Sequence, residues 1–194
     1  MKKKKIIFLG VIITLILIIY FSIFNNYSLT DYNRRRLNSK ISQQFLPDIN
    51  DLPKYRNIFY NYRNNIILFP VFYAKSLILV VYYEDVIFQI EKEKINNLKY
   101  IKNIIYEKNE ITNDIYYLIP EYEFTINSYQ FKVLEEEQES YYQCPKYIGI
   151  IAISYEKRSI AYMYFEDQDI DYISKNKHKN EMEIFIKNFF KYKW

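Results

Sequence analysis

The 194 residues leave room for one membrane anchor and one domain of ordinary size. Half are apolar, enough for a packed core, and the two glycines are too few for the loops that cradle nucleotide phosphates. The net charge of +4 invites a nucleic-acid reading, but Lys2, Lys3, Lys4 and Lys5 hold all of it. Without them 23 basic residues face 23 acidic ones, so no nucleic acid is expected among the partners. Ile, Asn, Lys, Tyr and Phe dominate in the manner of an AT-rich bacterial genome. The 23 tyrosines are therefore no argument by themselves for a carbohydrate or base-stacking surface.

Ile6–Phe24 is a run of nineteen residues without a charge or a proline. As a helix it spans roughly 28 Å, the thickness of a bilayer's hydrocarbon core. It carries no small-residue cleavage signature and no nearby lipid-attachment cysteine, so it reads as an uncleaved anchor in the cytoplasmic membrane, touching lipid through residues 6–24. Lys2–Lys5 place the N-terminus in the cytoplasm and the rest of the chain outside it. Arg34, Arg35 and Arg36 contest that orientation from the other flank.

Ser28–Phe45 reads as a juxtamembrane helix with Leu29, Leu37, Ile41 and Phe45 on one stripe. Its arginines suit either anionic-lipid contact or a solvated linker. Pro47 and Pro53 then mark a boundary. The domain plan is residues 1–24 for the basic flank and anchor, 25–53 for a juxtamembrane helix and linker, and 54–194 for a soluble domain.

From Tyr55 the period becomes two, which predicts a strand over Tyr55–Arg63, a turn at Asn64-Asn65, and a second strand over Ile66–Tyr73. Pro70 argues for an edge or a bulge there. Leu77–Tyr83 is a strand buried on both faces. A helix follows from Glu84-Asp85, with Ile87, Ile90, Leu98 and Ile101 inward and Glu91, Lys92 and Glu93 toward water. Residues 102–114 are ambiguous, with one short strand at Ile104–Tyr106. Tyr122–Ile126 and Tyr129–Val133 form a hairpin about Asn127-Ser128. Glu135–Glu139 is a solvated acidic loop. Tyr147–Tyr155 and Ser159–Phe165, apolar on both faces, belong at the centre of a sheet covered by helix on one side or both. Gly149 marks a bulge or close packing. Met182, Phe185, Ile186, Phe189 and Phe190 fit one helical face, with Asn180 and Glu183 spaced for a capping box. The expected fold class is α+β: an N-terminal transmembrane helix, then a mostly antiparallel sheet packed with two helices.

One local cluster suggests chemistry. Asp167, Asp169 and Asp171 share the spacing that opens a calcium loop, so a divalent cation is the candidate cofactor there. The pattern then fails, with Tyr172 where glycine belongs and His178 where glutamate belongs, and the plain alternative is a polar strand end. His178 sits between two lysines, as a surface residue does, and Cys144 alone makes no disulfide or established nucleophile. No catalytic set is assigned and no other cofactor is expected. The leading functional reading is a membrane-anchored, extracytoplasmic, non-enzymatic interaction module in the cell envelope with a protein partner there. Within it, an edge strand such as Tyr55–Arg63 can accept a partner strand. The alternatives are an envelope hydrolase or metal-binding domain using residues 166–171, and a membrane-tethered adaptor facing the cytoplasm.

Overall fold

The computed structural model describes residues 29–37, 45–68, 71–108, 111–113, 115–135, 147–167 and 181–194. In order, these form α1 (Leu29–Leu37), β1 (Asn57–Leu68), β2 (Val71–Tyr82), α2 (Asp85–Asn96), β3 (Ile105–Lys108) and β4 (Ile115–Ile119). They continue as β5 (Glu123–Ile126), β6 (Tyr129–Val133), β7 (Tyr147–Ser154), β8 (Ser159–Asp167) and α3 (Glu181–Phe189). Six strands make one antiparallel sheet in the order β1-β2-β8-β7-β6-β5, while β3 and β4 pair apart from it.

The α+β class with a central antiparallel sheet is as the residue pattern requires. β7 and β8 occupy the middle because both of their faces are apolar and only a doubly covered position keeps both from water. Alternation along the strands then divides the core in two. Ile78, Val80, Ile150, Ala161, Met163 and Phe165 face α3, whose Met182, Phe185 and Ile186, with Phe190 just after it, are all buried against them. Each such side chain contributes about 1.5–3 kcal/mol on leaving water. Leu77, Leu79, Val81, Ile151, Tyr162 and Tyr164 face the other way, against Tyr32 of α1 and Phe88 and Ile95 of α2.

Beyond α3 the chain returns to the first face. Trp194 stacks edge-on at 5.0 Å from Phe131 and 5.3 Å from Tyr129. The Tyr192 hydroxyl is hydrogen-bonded with Tyr129, at 2.9 Å, and with Tyr82, and Tyr129 also meets Ser159 at 2.8 Å.

Several expectations are corrected. Asn64-Asn65 is not a turn: both residues lie inside β1, opposite Lys75 and Ala74, and the ladder runs unbroken to Leu68. Pairing with a neighbouring strand outweighs the turn preference of asparagine. Two strands therefore precede α2, where three were expected. Six follow it rather than five, because the short apolar run Ile115–Ile119 pairs with β3.

The phase of α2 is also different. Its buried positions are Phe88, Glu91 and Ile95, while Ile90 is 47% exposed and the helix ends at Asn96. Phe88 is the bulkiest apolar side chain available, and burying it rotates Glu91 inward, where Lys94 pairs with its carboxylate. Gly149 stands in unbroken register opposite Tyr164, so there is no bulge at this position. Asn127 does turn the β5–β6 hairpin, at φ 51°, a left-handed conformation that asparagine tolerates.

Candidate functional site

With both faces of the sheet covered, its edges decide what the domain can offer a partner. Among the described residues the sheet's two edges differ in length, twelve residues for β1 and four for β5. Hydrogen-bond phase shows which groups of β1 point outward. Tyr83 N–H donates to the Arg158 carbonyl at 2.9 Å, one step beyond the opposed pair Tyr82 and Ser159. Bonded and non-bonded pairs alternate in an antiparallel ladder, so Tyr82, Val80, Ile78 and Ser76 turn their main chain toward β1. Asn57, Phe59, Asn61 and Arg63 stand opposite them. The residues between, Ile58, Tyr60, Tyr62 and Asn64, direct their peptide groups away from β2. The Ile58 N–H agrees with this phase, since it bonds the side chain of Asn57 at 2.8 Å rather than β2.

Proteins usually blunt a long edge with lysine, proline or a bulge. β1 pairs with β2 from Asn57 to Leu68 without a register shift and contains no proline. Its one charged residue, Arg63, is drawn off the edge: the guanidinium donates to the Asn188 carbonyl at 2.6 Å. Ser76 on β2 donates to the next carbonyl, Phe189, at 2.7 Å. Together they satisfy the last carbonyls of α3, which have no partner within the helix.

On the opposite face, α1 holds β1 flat. The Arg35 guanidinium lies 3.6 Å from the centre of the Tyr62 ring, and the Tyr32 and Tyr60 rings meet edge-to-face at 5.4 Å. Burial alone would raise the Asp31 carboxyl. Hydrogen bonds from Arg35, at 2.6 Å, and from Arg34 outweigh that and hold it below the usual carboxylate range. Arg36 donates to the Leu46 carbonyl and approaches Asp48 at 3.5 Å. Of the three arginines expected to flank the membrane, Arg35 thus contacts β1, Arg36 contacts the segment after α1, and Arg34 pairs with Asp31 of its own helix, while Tyr32 beside them is fully buried.

The acidic cluster is only partly visible. Asp167 closes β8 opposite Ala74, whereas Asp169 and Asp171, like Lys2–Lys5, lie outside the described residues. His178, Cys144 and the 136–140 stretch lie outside them as well. Glu166 is buried, accepts from the Tyr164 hydroxyl at 3.1 Å and pairs with Lys75 at 3.8 Å. Among the described residues no three histidine, cysteine or acidic side chains gather as metal ligands.

A second feature went unread in the sequence: an open cleft of about 680 Å³ where the loop after α2 passes β5 and β6. Lys99, Lys102, Tyr100 and Tyr122 line it, with Lys132 paired to Glu123 at 3.1 Å. Its lysines are up to 33 positions apart in the chain, from Lys99 to Lys132, and no local pattern connects them.

Compared with models of known families, with characterised proteins and with solved structures, the chain matches none. The fold and the edge geometry therefore carry the functional argument alone.

Proposed function

We propose that the protein is a single-pass, membrane-tethered interaction module whose domain stands outside the cytoplasm and engages a protein partner through the β1 edge. The observation that carries the reading is a twelve-residue edge strand of one charge, unbroken in register, on a sheet whose two faces are already covered by helix. Backbone pairing to such an edge supplies affinity without requiring a pocket. The tether is Ile6–Phe24, which lies outside the described residues; among those described, no helix is long and apolar enough to cross a membrane. Lys2–Lys5 support an N-terminus in the cytoplasm.

Alkaline phosphatase and a fluorescent protein, fused in turn after Trp194, report the side on which the domain lies. An active phosphatase and a dark fluorescent fusion are expected from a full chain that stays with the membrane after carbonate washing. A fluorescent, phosphatase-negative pair would instead establish the cytoplasm-facing adaptor.

A further inference from the structure

We infer that the occupant of the β1 edge is a second copy of this chain, paired antiparallel about a two-fold axis perpendicular to the sheet. The inference rests on the tethered reading in one respect, that both chains share a membrane. Two observations favour a second copy over an unrelated strand, and a third leaves the edge open to pairing.

The first is geometric. A two-fold axis perpendicular to the sheet carries each face onto the same face of the second copy, so both α1 helices remain on one side. Four residues of sequence separate the proposed anchor from α1, so this symmetry is compatible with both anchors entering one bilayer. The same operation joins two six-stranded sheets edge to edge.

The second is the self-complementarity of β1. With Tyr62 on the axis the outward-facing main chains meet in the correct phase, Asn61 faces Arg63 of the second copy, and Ile58 faces Ile66. Slipping by one residue puts outward groups opposite inward ones. Slipping by two in the direction that would keep the overlap long sets Arg63 against Arg63, a like-charge pair that is unfavourable.

The third is that Arg63, the sole charge on the strand, is already held against the end of α3. It therefore does not stand guard on the edge as charged residues commonly do.

The test uses the full chain in isolated membranes, with Cys144→Ser as background. Two differently tagged copies carry Asn61→Cys and Arg63→Cys respectively, and the membranes are oxidised. Opposed non-bonded residues in an antiparallel pair bring their Cβ atoms close enough for a disulfide. A disulfide-linked heterodimer is expected. It should be absent when the cysteines are moved to Asn103 and Glu156 on exposed loops, and lost when both copies carry Tyr62→Pro, which removes an outward N–H that β2 does not use. Because Tyr62→Pro also disturbs the Arg35 contact, a second pair is read by mass in mild detergent. Asn61→Arg, which opposes Arg63, gives monomer, and Asn61→Asp remains dimer.

Linkage equal to that of the loop pair, or linkage only to a different protein, overturns the proposal. If the phosphatase fusion is active and no linkage forms, the second copy is wrong and the tethered module stands. If linkage forms and the phosphatase is inactive, the pairing stands and the extracytoplasmic reading falls.

Discussion

The two faces of the sheet solve the same problem with different materials. The face under α3 is built mainly from Ile, Val, Ala, Met and Phe around one fully buried tyrosine, Tyr129, with Phe131 stacked on Phe124 at 4.8 Å and Phe165 edge-on to Phe185 at 4.9 Å. The face under α1 and α2 buries Tyr32, Tyr60, Tyr83, Tyr162 and Tyr164 together with Glu91. A tyrosine ring contributes area much as phenylalanine does, but each buried hydroxyl needs a partner. Tyr32 donates to the Pro47 carbonyl at 3.1 Å, Tyr164 to Glu166, and Tyr60 approaches Asp31 at 3.4 Å. The first ties α1 to the segment after it, and the last ties α1 to β1 of the sheet. The first face supplies cohesion, and the second fixes orientation, including that of the α1–β1 unit whose edge is offered to a partner.

The largest predicted effect comes at high pH, with most of the raised phenols on the face under α1 and α2. Burial pushes the phenols of Tyr32, Tyr83 and Tyr162 above their ordinary value. A group whose folded pKa is raised leaves stability intact below the unfolded value and erodes it as pH climbs above. Each of the three should cost about 1.4 kcal/mol per pH unit beyond about pH 10. Tyr129 and Tyr192 on the other face shift upward too, chiefly by burial, and add to the effect. Absorbance at the tyrosinate band should show exposed phenols ionising first and the buried set only with cooperative unfolding. A smooth titration of all phenols ahead of unfolding would remove the comparison.

Next in size, Phe131→Ala empties a site on the α3 face between Phe124 and Trp194. It should cost about 3–5 kcal/mol in urea unfolding. Asp31→Asn is smaller, about 0.5–1 kcal/mol near neutral pH, as expected of a pairing with one exposed and one half-buried arginine. Because the Asp31 pKa is lowered on folding, its contribution is present above the unfolded value and disappears as pH falls through the folded one. Variant and parent stabilities should therefore converge in acid. Smallest of all is Tyr83→Phe. The Tyr83 hydroxyl is buried with no hydrogen-bond partner of good geometry, so its removal should leave the melting temperature unchanged or raise it slightly. A marked fall would mean that the hydroxyl is bonded to that of Tyr162 beside it.

The candidate site was half legible. Alternation of Ile58, Tyr60 and Tyr62 with Asn57, Asn61 and Arg63 announced a strand, and Pro70 nearby suggested an edge. The length of that edge was hidden, because Asn64-Asn65 carries a turn signal that only pairing with Lys75 and Ala74 overrides. The removal of Arg63 from the edge was hidden as well. Its acceptor, Asn188, lies 125 residues away.

The residue pattern by itself determined the parts whose environment is uniform. Two strands apolar on both faces must be central, and five apolar residues at helical spacing must cover a sheet, because no other placement keeps both from water. Tertiary structure decided what depends on competition between neighbours. It set the phase of α2, where burying Phe88 took Glu91 inside, and the pairing of β3 with β4. It also made β1 a single long strand held flat by α1. In each case local preference is worth a few tenths of a kcal/mol per residue, and packing or pairing across the chain is worth more.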